Sequence, residues 1–215
     1  MRVMSRADRT TDGAAAISSP SSLALVRRIQ DGDADAWDSL YLRYRDRLLL
    51  SIRCRLGPHL RSRLESEDIL HSVFKDVLND LDRFEPRGPS SLNHYLHTCV
   101  LNKIRTKADY YTAQKRAGEV PLSDSLCARI PNPSAVSPRY SDASRFERLE
   151  WALNRLPESM REVVILRRVE ELSNQETAQL LGKTPEATSK MYNRTLAKLG
   201  ILLRTARGRA ARGSC

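Results

Sequence analysis

Lys190, Arg194 and Lys198 recur every four residues in the segment TPEATSKMYNRTLAKL, with Glu186, Ser189 and Asn193 beside them. On a helix a four-residue step returns to nearly the same face, so these side chains share one surface. Long cationic and amide groups at that spacing suit phosphate oxygens and base edges in a major groove. A second set lies in LNKIRTKADYYTAQKR. There Asn102, Lys103, Arg105, Lys107, Lys115 and Arg116 supply donors, and Tyr110 with Tyr111 interrupts them. Cations along a backbone, with aromatic rings on which bases stack, describe a platform for single strands. The same residues would also suit a basic helix end that favours its own dipole. Neither set is a reaction centre. The chain has no glycine-rich phosphate loop and no candidate catalytic triad, so an enzyme is not expected. His94 and His97 in HYLHTC stand one turn apart, but Cys99 falls on a buried stripe and no fourth ligand is near. No metal and no cofactor are expected. The carboxylates of ESED, Glu65 to Asp68, fit a helix start better than a magnesium site.

The elements that must hold these residues are all helical in pattern, and no strand alternation competes. Ser22 is positioned to cap a short helix with Leu25, Val26 and Ile29 inward, ended by Gly32. Asp33 caps the next, whose stripe is Trp37, Leu40, Tyr41, Tyr44, Leu48 and Ile52. A third follows ESED. In a fourth, capped by Ser91, residues Leu92, Tyr95, Leu96, Cys99, Val100 and Ile104 face a core. Four such helices over residues 21–116 can close a bundle. Periodicity then stops. Residues 117–145 carry prolines and serines and read as a flexible linker, while residues 1–20 and the basic tail 204–215 read as unstructured.

A second helical group spans residues 146–203. Ser173 and Glu176 have the spacing of a capping box, and Gly182 sits where a helix ends in a left-handed residue. Thr184 caps the next helix with Pro185 at its first position. Thr188, Tyr192, Thr195 and Leu199 form its inward stripe, opposite the cationic face. Two short helices with that punctuation make a helix-turn-helix. The fold class is therefore all-α, with two small domains joined by a linker.

Net charge is +10 over 215 residues, which points to a polyanionic partner. Cys54, Cys99, Cys127 and Cys215 are scattered without paired spacing, the pattern of reduced thiols in a cytoplasmic protein. No apolar run approaches the roughly 18 residues of a membrane span, and the N-terminal stretch lacks a secretory signal's apolar middle.

One helix is not explained by DNA binding alone. In ESEDILHSVFKDVL the stripe Leu70, Val73, Phe74, Val77 and Leu81 faces a core, whereas Ile69 and Leu78 point off it, among Asp68, His71, Ser72 and Lys75. Such a flank fits either an ordinary surface or a docking face. Here the sequence resembles the extracytoplasmic-function class of bacterial sigma-70 factors, from about Leu23 to Leu203. The family pattern D-x-x-Q-x-x-F stands as DILHSVF, with His71 in the place of glutamine. The pattern W-L-x-x-I-A-x-N stands as YLHTCVLN, and LPESMREVVILRRVEELSNQETAQLLGKTPEATSKMYNRTLAKL is similar throughout to the family's region four. The resemblance implies that Asp68, His71, Ser72 and Lys75 bind the clamp of the largest subunit of core RNA polymerase. It implies that Asn102, Arg105, Lys107, Tyr110, Tyr111, Lys115 and Arg116 meet the minus-ten element. The loop RFEPRGPSS would capture a flipped base of that element. Glu186, Ser189, Lys190, Asn193, Arg194 and Lys198 would read the minus-thirty-five duplex. Promoter DNA and core polymerase are then the partners, and an anti-sigma factor is a further partner the resemblance allows. The rival is a helix-turn-helix regulator with a helical partner-binding domain.

Overall fold

Ser21, one residue before the expected cap, starts the first helix: its Oγ accepts from the Ala24 N–H at 3.1 Å. Asp33 Oδ1 does the same for Ala36 N–H at 3.2 Å and begins the second. The computed structural model describes residues 20–56, 58–117 and 140–212. Residues 1–19 and 118–139, which hold the expected N-terminal segment and most of the expected linker, lie outside the described residues. Among the described residues the regular elements are helices. In chain order they are α1 Ser22–Gln30, α2 Ala34–Arg55, the single turn α3 Pro58–Arg61, α4 Ser66–Asp80 and α5 Ser91–Ala117. After these come α6 Tyr140–Leu153, α7 Glu158–Val164, α8 Asn174–Leu180 and α9 Pro185–Arg212. A 3-10 turn at Leu81–Arg83 follows α4, and a π turn at Ile165–Val169 continues α7.

Helices α1, α2, α4 and α5 close around one apolar core that includes Leu25, Leu40, Ile52, Leu70, Val73, Phe74, Leu92, Leu96 and Val100. Phe74 sits among rings, with Tyr41 tilted at 4.6 Å and Trp37 edge-on at 6.0 Å between centroids. Ile69 corrects the sequence reading. It is 1% exposed and belongs to this core, because its i, i+4 spacing to Val73 and Val77 places it on the inward face. Leu78, by contrast, is 46% exposed.

The second core gathers Ala152, Leu153, Leu156, Val163, Val164, Ile165, Val169 and Leu199 from α6, α7, the π turn and α9. It also takes Leu50 and Cys54 from α2. Helix α2 is therefore apolar on two faces, one for each core, and the run LLLSI at Leu48–Ile52 is buried all round. Beside this shared apolar seam lies a charged one. Arg55 pairs with Glu162 and Glu170, each at 2.5 Å, and Ser51 Oγ donates to Glu170 Oε1 at 2.7 Å. His97 Nδ1 on α5 lies 2.7 Å from the other Glu170 oxygen. Arg47 Nε donates to the Val169 carbonyl at 2.6 Å, and its guanidinium pairs with Glu171 at 3.2 Å. Arg53 and Arg61 both reach Glu150 on α6.

Two boundaries differ from the sequence reading. Helix α6 begins at Tyr140, inside the expected linker. Helix α9 runs on to Arg212, where a tail from residue 204 was expected. Its composition explains the extension: RTARGRAAR is mostly alanine and arginine, both strong helix formers.

Candidate nucleic-acid interface

Ser173 Oγ accepts from the Glu176 N–H at 3.2 Å, while the Glu176 carboxylate accepts from the Ser173 N–H at 2.7 Å. This reciprocal box fixes the start of α8. Burial opposes the Glu176 carboxylate, but its bonds to Ser173, with His94 and the Ser90 hydroxyl nearby, lower its pKa. Gly182 then takes a φ of +61°, a conformation that costs glycine nothing and other residues a side-chain clash. Thr184 Oγ1 accepts from the Ala187 N–H at 3.2 Å, so α9 starts at Pro185 as its punctuation predicts. Asn174 Nδ2 donates to the Pro185 carbonyl at 2.8 Å and ties the two helices at their starts.

The turn thus built presents one face of α9. Thr188 and Thr195 are fully buried, and Leu199 nearly so. Arg167 stacks its guanidinium 5.3 Å from the Tyr192 ring centre, holding the half-buried ring inward. Glu186, Ser189, Lys190, Asn193, Arg194 and Lys198 are all exposed. An open hollow at the start of this face is lined by Asn174, Pro185, Glu186, Ser189, Lys190 and Asn193. Arg194 and Lys198 flank it further along. Asn174 is an addition the sequence did not single out, since a residue following a serine cap looks like any helix start.

The candidate residues on α5 divide by face. Asn102, Arg105 and Tyr110 are exposed, whereas Lys107 and Tyr111 are half-buried. Tyr111 packs against the first core with the Arg63 guanidinium 5.8 Å from its ring centre. Lys103 pairs with Asp76 of α4 at 2.6 Å, so it braces two helices. Lys115 and Arg116 lie in the last turn of α5, and their side chains are outside the described residues.

The loop before α5 is pinned at both ends. Gln30 Nε2 donates to the carbonyls of Leu81 and Phe84 at 2.9 and 3.0 Å. Ser91 was expected as a cap. It is instead the first helical residue, and its Oγ accepts from the Arg87 N–H and donates to the Gly88 carbonyl, each at 2.8 Å. Between these anchors Glu85, Pro86, Arg87 and Pro89 stay exposed.

On α4, Asp68, His71 and Lys75 are exposed and Ser72 is half-buried, all on the side that carries Leu78. His97, weighed above for metal binding, is buried against Glu170, with its ring centre 6.4 Å from that of His94. Among the described residues no helix is long and apolar enough to cross a membrane.

The family described as Sigma-70, region 4 matches residues 146–199. The ECF RNA polymerase sigma factor ShbA of Streptomyces griseus is 31% identical over 186 residues, covering 83% of this chain and 93% of that protein. The chain belongs to the ECF sigma factors. Two further members are similar across both helical groups. The ECF RNA polymerase sigma factor BldN of Streptomyces coelicolor is 29% identical, with 88% of this chain and 69% of that protein covered. The RNA polymerase sigma factor CarQ of Myxococcus xanthus is also 29% identical, with 83% and 95% covered. In this sigma factor the family description of region four falls on α6 to α9, where the helix-turn-helix lies.

Proposed function

We propose that this protein binds core RNA polymerase, directs it to specific promoters and helps to open them, acting in the cytoplasm and without bond chemistry of its own. The observation that carries this reading is the span of the relatives. They match the first helical group as well as the helix-turn-helix, and a plain DNA-binding regulator would share only the second.

Within that reading the roles divide by surface. The face of α4 with Asp68, His71, Ser72 and Lys75 docks on the polymerase clamp, with exposed Leu78 adding apolar area at its edge. The hollow at the start of α9 reads the minus-thirty-five duplex through Lys190 and Asn193, and Lys198 holds a phosphate. Asn102, Arg105 and Tyr110 on α5, with the loop at residues 84–90, hold the unpaired minus-ten strand. Base unstacking costs a few kcal/mol, and stacking on an aromatic ring returns about 1–3 kcal/mol per base. Trapping a base thus offsets much of the cost of its unstacking, and cation contacts to the strand add to it.

The test is co-purification with core polymerase. Asp68→Arg combined with His71→Glu should reduce core retained on the tagged protein, with helical content unchanged by circular dichroism. Both positions are exposed on a helix whose core face is untouched. Wild-type yield of core with the double variant would overturn the docking face. Failure of the wild-type protein to retain core at all would favour the regulator instead.

A further inference from the structure

Arg53, Arg55 and Arg61, around the end of α2 and the turn after it, all pair with carboxylates: Arg53 with Glu67 and Glu150, Arg55 with Glu162 and Glu170, Arg61 with Glu150. Arg63, two residues further on, does not. It is exposed, and among the described residues its side chain makes neither an ion pair nor a hydrogen bond. The turn after α3 fixes where it stands. Leu60 and Leu64 pack on the first core, and the N–H groups of Arg63 and Leu64 both donate to the Leu60 carbonyl, at 3.0 and 2.9 Å. With leucines on either side held inward, Arg63 stays on the surface. Its guanidinium lies 5.8 Å from the centre of the Tyr111 ring, and that ring meets Tyr110 edge-on at 5.3 Å between centroids. A cation from one segment and two rings from another thus form one strip.

Shielding Tyr111 from water needs only an apolar stem, and an exposed cation–π contact adds little to it. A guanidinium laid against a ring also keeps its N–H donors, which lie in its own plane, available to a phosphate. The strip continues the candidate minus-ten surface. Arg105 and Lys107, likewise without an ion pair among the described residues, lie on the preceding turns of α5. Its place on that surface is at the far end from the loop at residues 84–90. From Ser91 to Tyr111, α5 advances about 30 Å. That length matches about nine base pairs of duplex at 3.4 Å each.

We propose that Arg63 binds a backbone phosphate of promoter DNA at the end of the minus-ten surface away from the base-capturing loop, where the strand enters the paired region towards the minus-thirty-five element. The inference deepens the function proposed above and rests on it. Such a contact reads no base; it sets the register in which the strand lies along α5.

The experiment uses core polymerase with the full chain, on a promoter selected from a library by the wild-type complex. Fluorescence anisotropy at several salt concentrations measures binding to two probes. The short probe is the single-stranded minus-ten element alone. The long probe continues it into about ten base pairs of duplex, one helical turn, towards the minus-thirty-five element. Arg63→Met keeps a stem against Tyr111 and removes the charge, whereas Arg63→Lys keeps the charge and loses the planar fork. On the long probe Arg63→Met should flatten the salt slope by about one unit. Over a fourfold rise in salt its affinity should then fall about fourfold less than that of wild type. Arg63→Lys should keep the wild-type slope, and on the short probe all three proteins should agree. An unchanged slope for Arg63→Met on the long probe overturns the contact and leaves Arg63 as cover for Tyr111. An equal loss on both probes overturns its placement. A loss accompanied by less core polymerase retained on the tagged variant assigns Arg63 to the polymerase instead, and also overturns the proposal. Should Arg63→Met lose helical content, Arg63→Gln decides by the same criteria. If the wild-type complex selects no promoter, the functional reading has failed and this inference falls with it; an unchanged slope on a selected promoter sinks the inference alone.

Discussion

Asn193 and Lys198 occupy the same helix but different surroundings, and this separates their expected roles. Asn193 lines the hollow where α8 and α9 meet, towards the start of α9, the end that helix-turn-helix readers place against base edges. Its amide can pair bidentately with adenine. Asn193→Ala should cost about 1–3 kcal/mol at one base position and relax the preference there. Lys198 lies further along, outside the hollow. Lys198→Ala should weaken binding to all sequences alike and flatten the salt dependence by about one unit. Transcription from a promoter library, with binding measured at several salt concentrations, checks both. An Asn193→Ala protein with an unchanged base preference would remove this residue from readout. The helix-turn-helix was legible in the sequence because its punctuation is local: Ser173, Glu176, Gly182, Thr184 and Pro185 each act within one turn.

Helix α5 shows what periodicity alone does not resolve. Its sequence interleaves cations and tyrosines over about four turns, and the two rings look equivalent there. Packing separates them, because Tyr110 is 47% exposed whereas Tyr111 rests on the first core under Arg63. The two substitutions should therefore diverge. Tyr110→Ala should reduce promoter opening, read by permanganate reactivity of thymines, more than closed-complex binding, with thermal stability unchanged. Tyr111→Ala should lower stability by about 1–2 kcal/mol, in the ordinary range for a core-contacting residue, and reduce both promoter readouts together. Matching profiles for the two variants would show that this division is wrong. Ile69 fails at the same scale for a related reason. Charged neighbours made it look like part of the polar flank, but its spacing to Val73 and Val77 sets its direction. The second buried face of α2 had a visible sign in the unbroken run LLLSI. What the sequence could not show was which partner covers it, since Leu50 and Cys54 meet residues about a hundred positions away.

At the scale of the molecule, the seam between the helical groups carries a pH signature that follows from one carboxylate. Burial pushes Glu170 towards its neutral form, but His97 and Arg55 outweigh it and draw its pKa down from 4.5 to about 2. A carboxylate whose pKa is depressed on docking stabilises the docked state fully above its free value, and that contribution is lost as pH falls towards the depressed one. The shift corresponds to about 3 kcal/mol, at 1.36 kcal/mol per unit. For this carboxylate the relevant window is therefore pH 4.5 down to 2. Many carboxylates titrate in that range, so the melting temperature of wild type alone cannot isolate this one. The difference between wild type and Glu170→Gln can, because a protonated glutamate and a glutamine are alike in shape and charge. That difference should be large near pH 5, then narrow steadily on acidification towards zero near pH 2. Thermal melts of both proteins across this range provide the check. A gap that stays constant down to pH 3 would mean that the charge of Glu170 contributes nothing to the seam.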